Sequence, residues 1–350
     1  MGFISMNLIL IVASTGPLVG GMENQLALQA QYLAKLPDID VTIIASPTYK
    51  ALFDPSLTFI PIEMKRSRRN PTLLLELIKN VHRVNPDIIH AHGHKAVSLL
   101  GNLRLFIKRK IHLVGTAHGQ KRKNKAFKKM AKVLSVSKSI QQTLSPITST
   151  VVYNGIEPGV TPSDQAKHKA EFCSSLGLDS KRPLILGVGR LVKLKNFDRL
   201  INASKNLDAN LVILGDGPEH QTLQDLSSGN VVLAGFREDT RSILYLADLM
   251  VICSDREGFS LVLIEALQSQ LPVLSTRVGV AVELLPNEHL IDSTEETALS
   301  KTIQDHLSDL PTLRAKQKEL FIRAERDFNI EKITAHTRDI YQTLMPNKSV

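Results

Sequence analysis

The feature that most constrains this chain is a pattern that runs twice along it: short apolar, β-branched runs alternating with helical stretches. In the first half the runs are LILIVA (8–13), VTIIA (41–45), DIIHAH (87–92), HLVGTAH (112–118), VLSVS (133–137) and VVYN (151–154), with helices predicted from about Glu23 and Pro71. In the second half PLILGVG (183–189), LVILG (211–215), VVLAG (231–235), LMVIC (249–253) and PVLST (272–276) alternate with helices predicted over 197–206 and from about Pro218, Thr240 and Ser260. In the second half the runs are continuously apolar rather than alternating, as expected of parallel strands covered by helices on both faces. The predicted fold class is α/β, with two doubly wound parallel sheets whose ligands sit at the carboxyl ends of the strands.

A length of 350 residues suits two domains, each able to bury its own core. The polar, glycine-containing stretch SDQAKHKAEFCSSLGLDSKR (163–182) marks the boundary, which gives domains over 1–165 and 180–334 and a helical region over 294–345. Cys173 and Cys253 stand far apart, so neither a disulfide framework nor a thiolate zinc site is expected, in keeping with a reducing compartment. No stretch reaches the roughly 18 to 20 apolar residues of a spanning helix. The opening MGFISMNLILIVAST has no Lys or Arg before Lys35 and no clear cleavage site, and reads as the first buried strand rather than a signal peptide. Net charge is +9 but uneven, for residues 1–165 hold 21 basic and 9 acidic side chains. A basic first half suits an anionic partner.

The segment that carries most chemistry is DREGFSLVLIEALQ (255–268), directly after a predicted strand. Glu257 falls in the loop and Glu265 in the helix that follows. Gly258 sits at the strand-to-helix turn, where the amides of Phe259, Ser260 and Leu261 at a helix start can bind an anion or hydroxyls. Two Glu residues eight apart are common by chance; the loop before them and the apolar helix around Glu265 make the pattern specific. In GVGRLVKLKNFDRLI (187–201) a strand ends in small residues, and Arg190 and Lys195 follow in the loop, a planar fork and a point charge that suit a diphosphate. Asn196 is placed to cap the next helix. Gly20 and Gly21 of GGMEN open a helix after the first strand, where a substrate can approach the backbone closely. LGDGPEH (214–220) is a similar turn, with Pro218 at a helix start.

These segments resemble glycosyltransferase family 4, the retaining glycosyltransferases of the GT-B fold, in which two Rossmann-like domains face each other across a cleft. EGFSLVLIEAL matches the family's E-x7-E motif. The resemblance implies that Glu257 contacts donor-sugar hydroxyls, that Glu265 holds the ribose hydroxyls, and that Arg190 and Lys195 bind the donor diphosphate. It likewise places Gly20 and Gly21 against the diphosphate and acceptor, and assigns His118 of GTAHG to the transferred sugar, with His92 a weaker candidate for the same lining. One departure is VGVAVELLP (278–286), where Val280 replaces the second glycine of the family's Gly-Gly-x-x-Glu while Gly279 and Glu283 keep the spacing. The family's closing helix also implies that 335–350 pack back on the first domain.

The implied function is transfer of a hexose or N-acetylhexosamine from a UDP- or GDP-sugar to a hydroxyl of a cell-surface glycan or lipid-linked acceptor, in lipopolysaccharide or polysaccharide biosynthesis. No metal or other cofactor is expected; the D-x-D at Asp38-Ile39-Asp40 precedes a strand and is taken as chance. The alternating His90, His92 and His94 are read as structural, since no carboxylate beside them completes a metal-ligand set. Two basic clusters, KRSRR (65–69) and QKRKNKAFKKMAK (120–132), suit anionic lipid headgroups. No nucleic-acid partner is expected, because no recognition motif is present. The expected location is the cytoplasm, peripheral on the inner membrane face. Two rival readings stand: an epimerase or hydrolase of the same fold, which product analysis without acceptor discriminates, and a non-catalytic membrane-surface protein, which would not bind a sugar nucleotide.

Overall fold

The computed structural model describes residues 5–13, 20–121 and 124–345. Two compact units emerge, Met1–Ile156 with Phe328–Val350, and Glu157–Asp327. The division thus falls at Ile156 rather than within 163–182, so that the polar stretch belongs to the second unit, and the chain re-enters the first unit at Phe328, ahead of residue 335.

The first unit comprises β1 (Met6–Val12), α1 (Gly21–Ala34), β2 (Ile39–Ala45), β3 (Thr58–Pro61), α2 (Pro71–Val84), β4 (Ile88–His92), α3 (Gly93–Leu103), β5 (His112–Ala117), β6 (Lys132–Ser135), α4 (Lys138–Thr143) and β7 (Thr150–Val151). These strands form one parallel sheet in the order β3-β2-β1-β4-β5-β6-β7. β1 is buried along nearly its whole length, as its unbroken apolar run requires. Helix starts follow local chemistry. Asn70 Oδ1 accepts the Leu73 N–H at 2.9 Å, and Pro71 takes the first helical position of α2.

The second unit comprises α5 (Gln165–Ser175), β8 (Leu184–Val188), α6 (Phe197–Ser204), β9 (Asn210–Leu214), α7 (His220–Leu226), β10 (Val231–Gly235), α8 (Thr240–Leu244), β11 (Leu249–Ile252), α9 (Leu261–Gln268), β12 (Val273–Thr276), α10 (Ala281–Leu284), β13 (Leu290–Ile291), α11 (Glu296–Leu307) and α12 (Leu310–Asp327). Its parallel sheet runs β10-β9-β8-β11-β12-β13. A core of Ile185, Leu200, Leu211, Ile213, Leu249 and Leu274 joins the sheet to its helices. Each such side chain contributes about 1.5 to 3 kcal/mol by leaving water.

α13 (Ile330–Thr343) then returns to the first unit, where Ile333, Ile340 and Tyr341 enter the core with Leu8, Leu26 and Leu33. Asp38 Oδ2 accepts from Arg338 Nε at 2.8 Å and Nη2 at 2.7 Å. Asp38 of the D-x-D triplet is therefore an anchor for α13, while Asp40 is exposed.

In each sheet the strand order reverses at one point, for β1 pairs with both β2 and β4, and β8 with both β9 and β11. The crevice outside the carboxyl ends of such strands is where an open α/β sheet holds its ligand.

Candidate functional site

In the second unit the loops after β8 and β11 flank the reversal point, and they carry the residues singled out in the sequence. Lys195 closes a short 3-10 turn after β8, and its Nζ donates to Glu257 Oε1 at 2.5 Å. The same carboxylate oxygen accepts from Ser254 Oγ at 2.7 Å. Lys195 and Glu257 are 20% and 13% exposed, so the pair is shielded from water yet reachable. Arg190 is exposed in the same loop.

Two features hold these loops together. Asn196 lies in the left-handed region (φ 51°), and its Nδ2 donates to Cys253 O at 2.9 Å and Asp255 Oδ1 at 2.6 Å. It does not cap α6 as expected; its side chain ties the β8 loop to the end of β11 instead. The LGDGPEH turn packs on the β8 loop so closely that a Cβ at Gly215 (φ 141°) would lie 1.9 Å from Gly189 O. Pro218 precedes α7, which starts at His220.

After Glu257 and Gly258, the Phe259 side chain enters the core, Ser260 adopts φ 69°, and α9 begins at Leu261. Ser260 Oγ is buried without a partner among the described residues. The turn at Gly279 (φ 51°) packs on this loop, for a Cβ there would lie 3.0 Å from Glu257 Cβ. Val280, at the departure from the family pattern, is fully buried. Glu265 is half-buried on α9; burial raises its pKa, and Arg241 of α8 opposes the rise. Arg241 Nη2 also donates to Gln268 Oε1 at 3.3 Å, and its Nε is buried without a partner among the described residues.

In the first unit Gly20 and Gly21 stand at the entry to α1, where the Gly20 N–H donates to Glu23 Oε2 at 3.0 Å. At the carboxyl ends of β4 and β5 the histidines form a layered cluster. His90 is hydrogen-bonded through Nδ1 to the Tyr341 hydroxyl and through Nε2 to Thr116 Oγ1, each at 2.6 Å. The His92 ring lies 4.1 Å from that of His90, and its Nδ1 is 3.1 Å from His118 Nε2. Burial, reinforced by the neighbouring imidazoles, lowers His90 to about 3 and His118 to about 4, and holds His92 well below its ordinary value. All three are neutral at pH 7, and only His118 is partly exposed. A cavity of about 20 Å³, room for one water, lies among Gln25, Gln29, His90, His92, Thr116 and His118. His94 turns away to Asn124 Oδ1 at 2.9 Å, and among the described residues no group of three or more His, Cys, Asp or Glu is placed to hold a metal ion. Larger cavities, of about 510 Å³ beside α5 and α8 and about 520 Å³ beside β3, take in none of these residues.

Sequence reasoning overlooked Ser254 and the tie made by Asn196. Their signal was position alone, Ser254 just after β11 and Asn196 at the end of the loop that follows β8.

A family model described as "Glycosyl transferases group 1" matches residues 169–321, and one described as "Glycosyltransferase Family 4" matches residues 19–160. Among curated proteins the chain is similar to the putative teichuronic acid biosynthesis glycosyltransferase TuaC of Bacillus subtilis, 27% identical over 315 residues, covering 84% of this chain and 80% of that one. It is similar also to the UDP-Gal:alpha-D-GlcNAc-diphosphoundecaprenol alpha-1,3-galactosyltransferase of Escherichia coli, 24% identical over 381 residues, covering 95% and 96%. Against two further curated relatives, 34% and 26% identical over 174 and 207 residues, the match spans about half of the relative's length (45% and 53%). The Anabaena HepE structure in complex with UDP-glucose shares the fold, with a TM-score of 0.80 at 19% identity over 97% of this chain and 100% of that one.

Proposed function

Because this chain belongs to glycosyltransferase family 4, with the two Rossmann-like domains of the GT-B fold, we propose that it transfers a hexose or N-acetylhexosamine from a UDP- or GDP-sugar to a hydroxyl of a glycan or lipid-linked acceptor, with retention at the anomeric carbon. The observation that carries this reading is the meeting of Lys195, Ser254 and Glu257 at the reversal point of the second sheet, with Arg190 exposed in the same loop as Lys195. Arg190 and Lys195 bind the diphosphate there and stabilise the charge that grows on it as the sugar departs, an electrostatic role that requires no divalent metal. A phosphate competes with Glu257 for Lys195, which frees the carboxylate for sugar hydroxyls; Glu265, whose proton burial makes harder to lose, binds the ribose hydroxyls. No carboxylate nucleophile is required if the departing phosphate assists attack on the same face.

On the acceptor side Gly20 and Gly21 open α1 after β1, and His118, which follows β5 and lies 3.1 Å from His92 at the end of β4, is neutral at pH 7 and hydrogen-bonds the transferred sugar. A surface glycan on a lipid carrier, met at the inner face of the cytoplasmic membrane, suits the basic first half. The names of the Bacillus subtilis and Escherichia coli relatives support that acceptor class. In the test, UDP-, GDP- and ADP-sugars are screened by thermal shift, with Lys195→Ala and Glu265→Ala as controls. One nucleotide sugar should stabilise the wild type and neither variant. Stabilisation that both variants retain would overturn the donor site, and free sugar or epimer formed without acceptor would favour the rival activity.

A further inference from the structure

The turn after α3, Arg104-Leu105-Phe106-Ile107-Lys108-Arg109-Lys110, was not singled out by either basic cluster in the sequence, yet it is the most exposed apolar site among the described residues of the first unit. Leu105 is 90% and Phe106 58% exposed, while Ile107 between them and the cations is buried and fixes the turn. From Ile88 to Ile156 the sequence holds thirteen Lys and Arg and no Asp or Glu.

The fold draws two further basic segments onto α3. Along one flank Lys95 Nζ donates to Met64 O at 2.5 Å, Arg68 Nη1 to Ser98 Oγ at 3.5 Å, and Asn102 Nδ2 to Arg68 O at 3.0 Å. KRSRR therefore lies along the helix. From the other side Lys129 Nζ donates to Gly101 O at 3.1 Å, which brings in the 3-10 turn Lys125–Lys129. Phe127 and Met130 are buried and hold that turn down; Arg122 and Lys123 of the same run lie outside the described residues. The acidic groups nearby are Glu76, paired with Arg66 at 3.2 Å, Glu63, which accepts the Lys65 N–H at 2.9 Å, and Asp87 beside the turn, which accepts the Asn7 N–H at 2.9 Å. The resulting strip follows α3, whose 11 residues span about 16 Å, from His92 at the reversal point to Leu105 and Phe106 at the far end.

We propose that this strip is a docking surface for an anionic phospholipid bilayer, with Leu105 and Phe106 entering the headgroup region and the cations of 65–69, 104–110 and 125–129 facing lipid phosphates. The proposal rests on the lipid-linked acceptor in the functional reading above and adds the residues that make the contact. A bilayer fits better than nucleic acid because a neighbouring Leu and Phe, both exposed, gain from the headgroup boundary what a phosphate backbone does not offer.

The chain contains no Trp, so Phe106→Trp supplies a single reporter. With phosphatidylglycerol vesicles its emission should shift to the blue and be quenched by brominated lipid; with phosphatidylcholine vesicles it should not. In sedimentation with phosphatidylglycerol vesicles, Leu105→Glu/Phe106→Glu should weaken partitioning about tenfold or more, and Arg109→Ala about fivefold. Both variants change exposed side chains, and their thermal shift with the nucleotide sugar should match the wild type. The proposal is overturned if the wild type fails to sediment with phosphatidylglycerol, if the double variant sediments as well as the wild type, or if the indole of the Phe106→Trp variant stays solvent-exposed on bound vesicles. It is also overturned if polyuridylate binds through the same residues and displaces the vesicles. Loss of the nucleotide-sugar response with vesicle binding intact would overturn the donor site and leave the docking surface standing.

Discussion

Lys195 and Glu257 neutralise each other across two loops, and any anion that enters must take the lysine from the carboxylate. Lys195→Ala should therefore abolish the thermal shift by the nucleotide sugar and lower turnover on the order of a hundredfold, the usual effect of losing a donor to transition-state charge. Without ligand the substitution should also lower stability, by about 1 to 3 kcal/mol, since it leaves the largely buried Glu257 carboxylate without its cation. Ser254→Ala tests a subtler contact. Removing the hydroxyl 2.7 Å from Glu257 Oε1 should raise the KM for the donor several-fold with turnover less affected, as expected for about 0.5 to 1.5 kcal/mol of positioning. Steady-state kinetics over donor concentration reads both outcomes. Lys195 and Glu257 were legible in the sequence because each falls in a loop after a predicted strand inside a segment that resembles a family motif; the spacing of the charges alone is common. Ser254 was not, because serine is ordinary there and its role exists only once the β8 and β11 loops meet. Asn196 misled for the same reason: a helix-start asparagine normally bonds its own helix, and here a left-handed backbone sends its amide to Cys253 O.

Among the elements, the central strands were legible because burial on both faces leaves them mostly apolar, β4 with its buried His90 and His92 being the exception. The edge strands β3 and β13 were not, for β3 buries only Ile60 of its four residues and β13 has only two. The crossing of the chain at Ile156 was also hidden. It depends on Gly155, where a Cβ would lie 2.6 Å from Ile330 Cα, and on paired main-chain bonds between Ile156 and residues 328 and 330. α13 is then held by side chains that look unremarkable in sequence. Asp38 accepts two bonds from Arg338, Gln29 Nε2 donates to Thr337 Oγ1 at 3.2 Å, and Tyr341 meets His90. Asp38→Ala should destabilise the first unit by about 1 to 3 kcal/mol, because it leaves Arg338 unpaired beside a buried contact. Urea unfolding measures this. Were Asp38 instead a metal ligand, the substitution would make activity insensitive to a chelator to which the wild type responds; we expect a chelator to leave wild-type turnover unchanged.

For the whole molecule, the neutral histidine layer sets how stability depends on pH. His90 and His118 fall to about 3 and about 4 in the folded state, and His92 lies well below its ordinary value, whereas all three return to about 6.5 when the chain unfolds. Between those limits the unfolded chain binds more protons than the folded one, so stability is full above about pH 6.5 and declines as the pH falls towards about 4. Each imidazole contributes a slope of up to about 1.4 kcal/mol per pH unit. Glu265 acts in the opposite sense, since its raised pKa lets the folded state hold a proton longer, but it is one group against three, and burial lowers His94 and His289 in the same sense as the layer. The melting temperature should accordingly drop steeply from pH 7 to pH 5. His118→Gln, at the partly exposed end of the layer, should lessen the slope without removing the His90 bonds to Tyr341 and Thr116. A flat profile from pH 7 to pH 5 would mean that the imidazoles are hydrated in the folded protein and that α13 does not seal them from water. The same layer ties the proposed sugar contact at His118 to the packing of α13 through His92, His90 and Tyr341. Tyr341→Phe, which removes only the hydroxyl, should therefore weaken the first unit by about 1 kcal/mol and steepen the fall in activity below pH 6, as His90 loses a partner that holds it in one orientation.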